Sequence, residues 1–278
     1  MKNTKLFLII AFLIPILALG QYGYTPEVIS GSLKYTDLSN ASSTVIGTTV
    51  TNLVASDFDL SGTYYGISGD DNNLYIIDTS NASYTLVGSV TPPGSEFWSG
   101  MACDPTDGTM YICSTDGNTN SFYTIDVTNA TITLVGTNAE GDGVVGIAFD
   151  DTGQMYAIYL VRLFYMIDKT TAAATLVGSL NTTPTAFPHH GLDFSSSNQT
   201  MYMVGYNAFS FDNELWTIDL ATANNTLVGS VNLWTATIAV EPSFSIGFSA
   251  DTTEICETDM VNFSDGSTGA NTWNWTFE

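Results

Sequence analysis

Basic residues are scarce in this chain of 278 residues, which has five Lys and Arg against 28 Asp and Glu. Two of the five, Lys2 and Lys5, lie within the first twenty residues, so removing that segment changes the formal net charge from −23 to −25. A surface this acidic is repelled by phosphate backbones and by anionic membranes, which argues against nucleic acid as a partner. Solubility in a salty medium explains the charge most simply, and binding of divalent cations is the alternative.

Cysteine is also scarce, because three residues are too few for a disulfide framework in a chain of this length. Cys103 and Cys113 flank one predicted hairpin turn. The register of that hairpin separates their sulfur atoms by several residues along the strands, beyond disulfide reach. We therefore expect both side chains to be unpaired and buried, and Cys256 has no evident partner.

Long hydrophobic runs are absent after residue 19. Residues 6–19 form an uncharged apolar run that follows Lys2 and Lys5 and precedes the small residue Gly20. The run is shorter than the roughly 20 apolar residues that span a bilayer, so residues 1–20 are predicted to be a cleaved secretory signal peptide. The remaining chain is expected to be secreted or displayed at the cell surface, without membrane insertion.

The chain also lacks a serine nucleophile elbow, a phosphate loop and a dinucleotide-binding fingerprint. It contains instead a motif that occurs five times, in which an Asp after a strand-like segment is followed ten residues later by a Gly. Successive motif glycines are 41, 48, 42 and 51 residues apart. The copies occupy residues 33–47, 74–88, 122–136, 164–178 and 215–229.

This spacing includes the length of a four-stranded propeller blade. Each unit has four short segments rich in β-branched, aromatic and aliphatic residues, and no window shows a 3.6-residue apolar period, which indicates an all-β chain. A short sheet with apolar residues on both faces can bury both only between copies of itself. A linear solenoid is the alternative arrangement, but no distinct capping repeats are evident.

The chain ends indicate how the repeats close. The first copy has no inner strand before it, whereas residues 237–242 match the inner-strand pattern and follow the last complete copy. The two incomplete pieces together make one blade. The sequence therefore predicts a five-bladed β-propeller over residues 21–243, closed by strands from both ends.

The pattern changes over residues 245–278, where a Ser-Thr-Gly turn precedes Trp273-Asn-Trp-Thr-Phe277. These strand-like segments resemble the beginning of a PKD domain, an immunoglobulin-like β-sandwich common in exported bacterial proteins. The resemblance implies an incomplete PKD domain and a chain that continues beyond residue 278. The propeller repeats likewise resemble the Leu-Tyr-x-Ile-Asp repeats of exported bacterial propellers, and the combination is similar to surface proteins of Bacteroidetes.

Several carboxylates are candidates for a role in binding. The motif aspartates precede turns and are expected to cap turn amides rather than to bind a ligand. Asp70, Asp71 and Asp116 lie in loops between second and third strands and are weak calcium candidates, although neither loop has the spacing of a known calcium site. We expect no other cofactor. The motif aspartates are Asp37, Asp78, Asp126, Asp168 and Asp219.

Aromatic residues and histidines lie where the chain enters the inner strands, at one predicted mouth of the ring: Phe97, Trp98, His189, His190 and Trp234. Aromatic residues at a channel mouth could form a platform for a sugar or a peptide. Alternatively, they could simply plug the channel. The adjacent histidines point to opposite sides of an extended chain, which argues against a zinc site.

Asp57 and Asp193 stand on inner strands where other repeats have Ala, which gives an alternative catalytic hypothesis. The two carboxylates could be the acid and base of a glycoside hydrolase, provided that both are accessible and roughly 5–10 Å apart. The simpler interpretation is that each accepts hydrogen bonds from neighbouring backbone amides.

Together these features predict a secreted or cell-surface module that binds or adheres without catalysis. Its partner would be an extracellular protein or a polysaccharide, the PKD domain would be a spacer, and the module would be a monomeric part of a longer chain. The alternative is a carbohydrate-active enzyme that uses Asp57 and Asp193.

Overall fold

The computed structural model describes residues 21–181, 190–207, 212–231 and 234–242, and the backbone of two short strands further on. Regular structure in these residues consists of β-strands, and none of them belongs to a helix that could cross a membrane. Residues 20–242 form one compact unit. The predicted signal peptide, residues 1–20, lies outside the described residues and stays a prediction.

The strands form five antiparallel sheets of four, one for each blade. Blade 1 contains β1 (Tyr22–Pro26), β2 (Ser32–Asp37) and β3 (Ser43–Thr48). Blade 2 contains β4 (Leu53–Phe58), β5 (Tyr64–Ser68), β6 (Asn73–Ile77) and β7 (Tyr84–Ser89). Blade 3 contains β8 (Phe97–Cys103), β9 (Met110–Thr115), β10 (Asn120–Asp126) and β11 (Thr131–Asn138). Blade 4 contains β12 (Val144–Phe149), β13 (Met155–Tyr159), β14 (Leu163–Ile167) and β15 (Ala174–Ser179). Blade 5 contains β16 (His190–Ser195), β17 (Thr200–Asn207), β18 (Asp212–Ile218) and β19 (Asn225–Ser230).

Blade 1 is completed by β20 (Ala239–Val240), which comes from the other end of the propeller segment. It pairs antiparallel with β1, with Gly23 opposite Val240 and Tyr24 opposite Ala239. The prediction of a five-bladed β-propeller closed by strands from both ends is therefore confirmed.

Two further strands, β21 (Phe248–Ala250) and β22 (Phe263–Asp265), form a separate antiparallel pair. The rest of residues 245–278 lies outside the part of the chain that the structure describes. The PKD domain therefore stays a prediction.

The two faces of the propeller differ in the segments that they carry. The turn face consists of the turns between first and second and between third and fourth strands, at residues 38–42, 59–63, 78–83, 104–109, 127–130, 150–154, 168–173, 196–199 and 219–224. The connection face consists of the other links, whose described residues are 27–31, 49–52, 69–72, 90–96, 116–119, 139–143, 160–162, 180–181, 231 and 234–238.

The hydrophobic core lies between blades rather than within them. Five clusters of buried side chains each combine residues of two neighbouring blades. Leu74 of blade 2 shares a cluster with Ile112 of blade 3, for example. The cluster that joins blade 5 to blade 1 contains Leu215 and Ile238, so the closing junction is packed like the others. Each blade depends on both neighbours for burial of its two apolar faces.

The outer strands explain the repeated Thr-Leu-Val-Gly segment. In blade 2, Leu74 pairs with Gly88 and Tyr75 with Leu86, so Val87 is the extra residue of a β-bulge. The bulge lets Val87 pack on the cluster shared with blade 3, while Leu86 is exposed. A bulge also disrupts the open edge of an outer strand, which limits pairing with other chains. The same register shift occurs in all five outer strands.

The motif glycine contacts the next blade closely. A Cβ atom added to Gly136 would lie 2.5 Å from the carbonyl oxygen of Thr171 and 3.1 Å from the Cβ of Ala172. Ala172 is buried in a turn with a φ of 62°. The same close contact occurs at all five junctions, where a Cβ atom added to the motif glycine would lie 3.0–3.1 Å from the Cβ of a turn alanine in the next blade. The pairs are Gly47 and Ala82, Gly88 and Ala130, Gly136 and Ala172, Gly178 and Ala223, and Gly229 and Ala41.

The cysteines are unpaired as predicted, but only one of them is fully buried. Cys103 and Cys113 are both free. Cys103 pairs with Met110 and Cys113 with Gly100, so the register keeps the sulfur atoms apart. Cys113 is buried as expected, whereas Cys103 is only half-buried because it ends its strand. Cys256 lies outside the described residues.

We predict that Gly136→Ala lowers the free energy of unfolding by about 2 kcal/mol, because the added methyl group meets backbone atoms of the next blade. Leu134→Ala on the same outer strand is the control, since Leu134 is exposed and its loss should change stability by less than about 0.5 kcal/mol. Urea unfolding of both variants measures the difference. Equal stability of the two variants would contradict the proposed contact.

Candidate functional site

The motif aspartates of the turn face stabilise their own turns. In blade 3, Oδ1 of Asp126 accepts hydrogen bonds from the amide and hydroxyl of Thr128 at 2.9 and 2.6 Å. The Asn129 side chain donates to Oδ2 at 2.7 Å. These bonds, led by the one from the Thr128 hydroxyl, lower the pKa of Asp126. Asp37, Asp78, Asp168 and Asp219 accept equivalent bonds, so the predicted capping role is confirmed.

The weak calcium candidates also serve their own loops. Asp70, Asp71 and Asp116 lie on the connection face, in blades 2 and 3. Their carboxylates accept hydrogen bonds from Thr51 and Asn52, from Asn73 and Tyr75, and from Asn118 and Thr119, respectively. Within the described ranges, no three potential metal ligands come together. The structure thus does not gather these three carboxylates into one site.

Asp57 and Asp193 occupy equivalent places on the inner strands of blades 2 and 5. Oδ1 of Asp57 accepts from the amide of Phe58, and Oδ2 accepts from the amide of Cys103 in blade 3, both at 2.7 Å. Asp193 accepts from the amide of Phe194 at 2.7 Å and from that of Val240 in blade 1 at 2.5 Å. Each carboxylate therefore links the inner strand of its own blade to that of the next blade.

Burial dominates the electrostatics of these two carboxyl groups. It raises the pKa of Asp193 to about 7, against the effect of its amide bonds. Burial raises the pKa of Asp57 well above its ordinary value, and the charge of Asp193 raises it further. Both groups are buried. The hydrolase hypothesis required accessible carboxylates in an open cleft, so this geometry does not support it.

Two of the predicted mouth residues prove to be interior. Trp98 is only 2% exposed, its ring packs edge-on against Tyr123, and its indole nitrogen donates to the carbonyl of Val90 at 2.5 Å. His190 is also buried, at the first position of β16. Neither side chain is available as a platform, which corrects the sequence prediction for both. His189 lies outside the described residues.

The other two mouth residues are exposed on the connection face. Phe97 is 40% exposed and Trp234 is 46% exposed. The Trp234 ring lies 5.6 Å from that of Tyr206, centroid to centroid, at an interplanar angle of 56°. The sequence analysis missed Tyr206, because this residue lies one position before the end of the second strand of blade 5 and reaches Trp234 only through closure of the ring. An aromatic residue at that end of a second strand was the available signal.

Two aliphatic residues extend this exposed apolar set. Ile29 and Val161 stand exposed in links between second and third strands, in blades 1 and 4. Leu60 is the exposed large apolar residue in the turns of the opposite face. Most other exposed large apolar residues lie along third and fourth strands, as Leu86 and Leu134 do. Between the two faces of the ring, the connection face thus carries more of them than the turn face, and it is our candidate functional site.

The turn face has two shallow grooves of about 530 and 480 Å³. They lie at equivalent places in blades 3 and 4, beside Asp126 and Asp168. A feature repeated between blades follows from blade geometry, so we do not assign these grooves a function.

Comparisons with known proteins find similar structures but no related sequence. No protein-family model matches the chain, and no curated protein matches its sequence. A chain of a nidogen–laminin complex is similar with a TM-score of 0.52 at 8% identity, over 80% of this chain and 98% of that one. A protein of unknown function from Bacteroides caccae is similar with a TM-score of 0.52 at 9% identity, over 81% of this chain and all of that one. At such low identities the likeness concerns the fold alone.

We predict that the buried carboxyls make stability depend on pH near neutrality. Because the pKa of Asp193 is about 7 in the folded state, the native protein binds more protons than the unfolded chain between about pH 4 and pH 7. The free energy of unfolding should therefore fall as the pH rises through this window, on the order of 4 kcal/mol in total, because each of the roughly three pKa units corresponds to about 1.4 kcal/mol.

The double variant Asp57→Ala, Asp193→Ala should show a flatter profile, and Ala already occupies this position in three blades. The control variant Glu140→Ala, Asp142→Ala removes two exposed carboxylates and accounts for the general effect of charge. Chemical unfolding between pH 4 and pH 8 provides the profiles. A wild-type slope no steeper than that of the Asp57, Asp193 variant would contradict the prediction.

Proposed function

We propose that this protein is an exported, non-catalytic binding module that holds an extracellular protein or polysaccharide on its connection face. The observation that carries the proposal is that irregular links of that face expose Ile29, Val161 and Trp234, whereas the turns of the opposite face expose only Leu60 among their large apolar residues. Ile29, at 71% exposed, is the most accessible of them. Exposed apolar groups on loops held by a rigid scaffold are typical of interaction surfaces.

The contrast between the two faces supports this choice. Turns on the turn face repeat the same aspartate hydrogen bonds in every blade, which is a structural role. Links on the connection face vary in length, since residues 49–52, 139–143 and 90–96 join neighbouring blades with four, five and seven residues. Variation of this kind, on a scaffold that repeats, favours a role in recognition.

Charge restricts the partner. A net charge of −25 after residue 20 repels anionic ligands, which favours a neutral or basic one. The similar chain comes from a structure of a nidogen–laminin complex, which makes a protein partner a reasonable candidate. A neutral polysaccharide satisfies the same electrostatic condition.

Export and the longer architecture rest on sequence patterns. The apolar run of residues 6–19 supports secretion, and the resemblance of residues 245–278 to a PKD domain supports a spacer that follows the propeller. The module would then be a monomeric part of a longer surface protein. Burial of Asp57 and Asp193 against backbone amides supports a role without catalysis.

We predict that the triple variant Ile29→Ser, Phe97→Ser, Val161→Ser binds its partner at least about tenfold more weakly, because it removes apolar contacts from the centre of an interface. The matched control is Leu60→Ser, Tyr84→Ser, Leu134→Ser, which changes three equally exposed apolar residues elsewhere. Surface plasmon resonance against purified extracellular proteins and soluble polysaccharides measures both. An equal loss in the two variants, or a loss only in the control, would contradict the assignment of the face.

A further inference from the structure

Exposed apolar side chains and carboxylates lie together on the connection face of blades 3 and 4. We define the mixed patch as Phe97, Asp116, Glu140, Asp142 and Val161. We propose that this patch binds a cationic segment of a partner protein, whose apolar groups contact the two apolar residues and whose Lys or Arg side chains pair with the three carboxylates. This inference rests on the proposed function and names the partner class of the same face.

Phe97 and Val161 are joined by contacts between the links of blades 3 and 4. Phe97 lies opposite Thr115 in the pairing of β8 with β9. A Cβ atom added to Gly143 would lie 3.3 Å from the Thr115 hydroxyl oxygen and 3.3 Å from Cδ1 of Leu160. The Leu160 amide also donates to the Gly143 carbonyl at 2.9 Å, and Val161 is the next residue. The two exposed apolar side chains therefore border one continuous surface.

The carboxylates of the mixed patch lie along the same contacts. Asp116 follows Thr115, while Glu140 and Asp142 belong to the link of residues 139–143, which contacts both blades. All three side chains are exposed. Arg162 is the one basic residue in the described links of this face, so three negative charges stand against one positive charge. This balance is complementary to a cationic partner.

Hydrogen bonding distinguishes these carboxylates from the others on the connection face. The other carboxylates of the described links accept hydrogen bonds with both oxygens from neighbouring groups of the chain. They are Glu27, Asp70, Asp71 and Glu96. Asp116 accepts through Oδ1 alone. Among the described residues, none donates a hydrogen bond to the carboxylate of Glu140 or Asp142 or forms an ion pair with it. Their capacity is thus available to a partner from outside the chain.

The backbone that carries Glu140 and Asp142 is fixed by a buried side chain. Asn120 is fully buried, its side-chain nitrogen donates to the Glu140 carbonyl at 2.9 Å, and its oxygen accepts from the Val144 amide at 2.7 Å. Binding groups on such a pre-organised segment lose little backbone entropy when they bind.

Phe97 is presented by an anchored link as well. The Glu96 carboxylate accepts from the hydroxyls of Ser114 and Ser121, and the indole nitrogen of Trp98 donates to a carbonyl of the same link. Both neighbours of Phe97 are therefore held against blade 3, while the Phe97 ring is exposed. An aromatic ring packs on the aliphatic part of a Lys or Arg side chain and attracts its charged end.

A cationic protein segment fits the mixed patch better than a neutral polysaccharide does. Ionised carboxylates only accept hydrogen bonds, and Lys and Arg side chains only donate them. Such charge-assisted bonds are roughly twice as strong as those between neutral groups. A sugar hydroxyl could donate to the same oxygens, but it would leave the negative charges uncompensated.

The test begins with an mRNA-display library of random dodecapeptides, selected on the immobilised full chain. The buffer contains about 150 mM NaCl, at which the Debye length is about 8 Å, so that attraction by the overall acidity of the chain is screened. Counter-selection on the variant Phe97→Ser, Glu140→Gln, Asp142→Asn removes peptides that bind elsewhere. We expect the enriched peptides to combine Lys or Arg with apolar residues.

Fluorescence anisotropy then gives the dissociation constant of an enriched peptide. The variant Glu140→Gln, Asp142→Asn should weaken binding at least about tenfold, because it removes two charges and keeps the shape of both side chains. The matched control Glu241→Gln, Asp107→Asn makes the same substitutions at two exposed carboxylates outside the patch and should change binding less than about twofold. The melting temperature of the patch variant should not fall, since no described residue bonds to either carboxylate.

The apolar part of the mixed patch is tested in the same assay. Phe97→Ser should weaken binding of the peptide at least about tenfold, because it removes an apolar contact from the interface. Leu134→Ser is the control, since Leu134 is an exposed apolar residue of the same blade that lies on the outer strand. It should leave the dissociation constant unchanged.

Three results would overturn the inference: no enrichment of cationic peptides, an equal loss of affinity in the Glu140, Asp142 variant and its control, or tighter binding of neutral cellohexaose than of any cationic peptide. If a polysaccharide or a neutral protein binds and the connection-face triple variant loses it, the proposed function stands although this inference fails. If nothing binds through the connection face, both fail.

Discussion

The contact between the outer-strand glycine of one blade and the turn of the next is the constraint on which the rest of the structure depends. A single methyl group at Gly136 would meet the carbonyl oxygen of Thr171 at 2.5 Å, so the blades can approach this closely only because the residue is glycine. The buried turn alanine and the bulged residue, which is valine in four blades and Ile46 in blade 1, fill the remaining space at each junction. Because blade 5 makes the same contact with blade 1 through Gly229 and Ala41, five junctions form a closed cycle without a free end.

Closure of this cycle is non-covalent and joins residues from the two ends of the propeller segment. β20 pairs with β1, and the buried Asp193 carboxylate accepts a hydrogen bond from the amide of Val240 across the same junction. On the connection face, closure brings Trp234 against Tyr206 and leaves two buried polar atoms of Asn213 and Thr235 without partners. The junction of blades 5 and 1 is thus the place where the ring is completed. The turn face, by contrast, repeats the same capping aspartates around the ring.

The repeat made the fold predictable, whereas the site depended on contacts that no local pattern contains. Spacing of the motif and the two incomplete end pieces predicted five blades and their closure, and the residues after each motif aspartate predicted the capped turns. Trp98 was misplaced because a bulge between Trp98 and Gly100 shifts the alternation of side chains, so that Trp98 points inward and Phe97 outward. Tyr206 was missed because its neighbour comes from another blade. Local periodicity indicates which residues share a strand face, but it does not indicate which residues of different blades come into contact when the ring closes.

Native-state hydrogen exchange is the measurement that tests the central claim, closure of the five-bladed ring by its two chain ends, most directly. If β20 and β1 form a junction as well packed as the others, the backbone amides bonded between them should exchange with the same free energy as those of β9 in blade 3, through global unfolding. If those closing amides exchange by local opening at a markedly lower free energy while β9 stays protected, the ring is not held closed by its ends, and this would contradict the account.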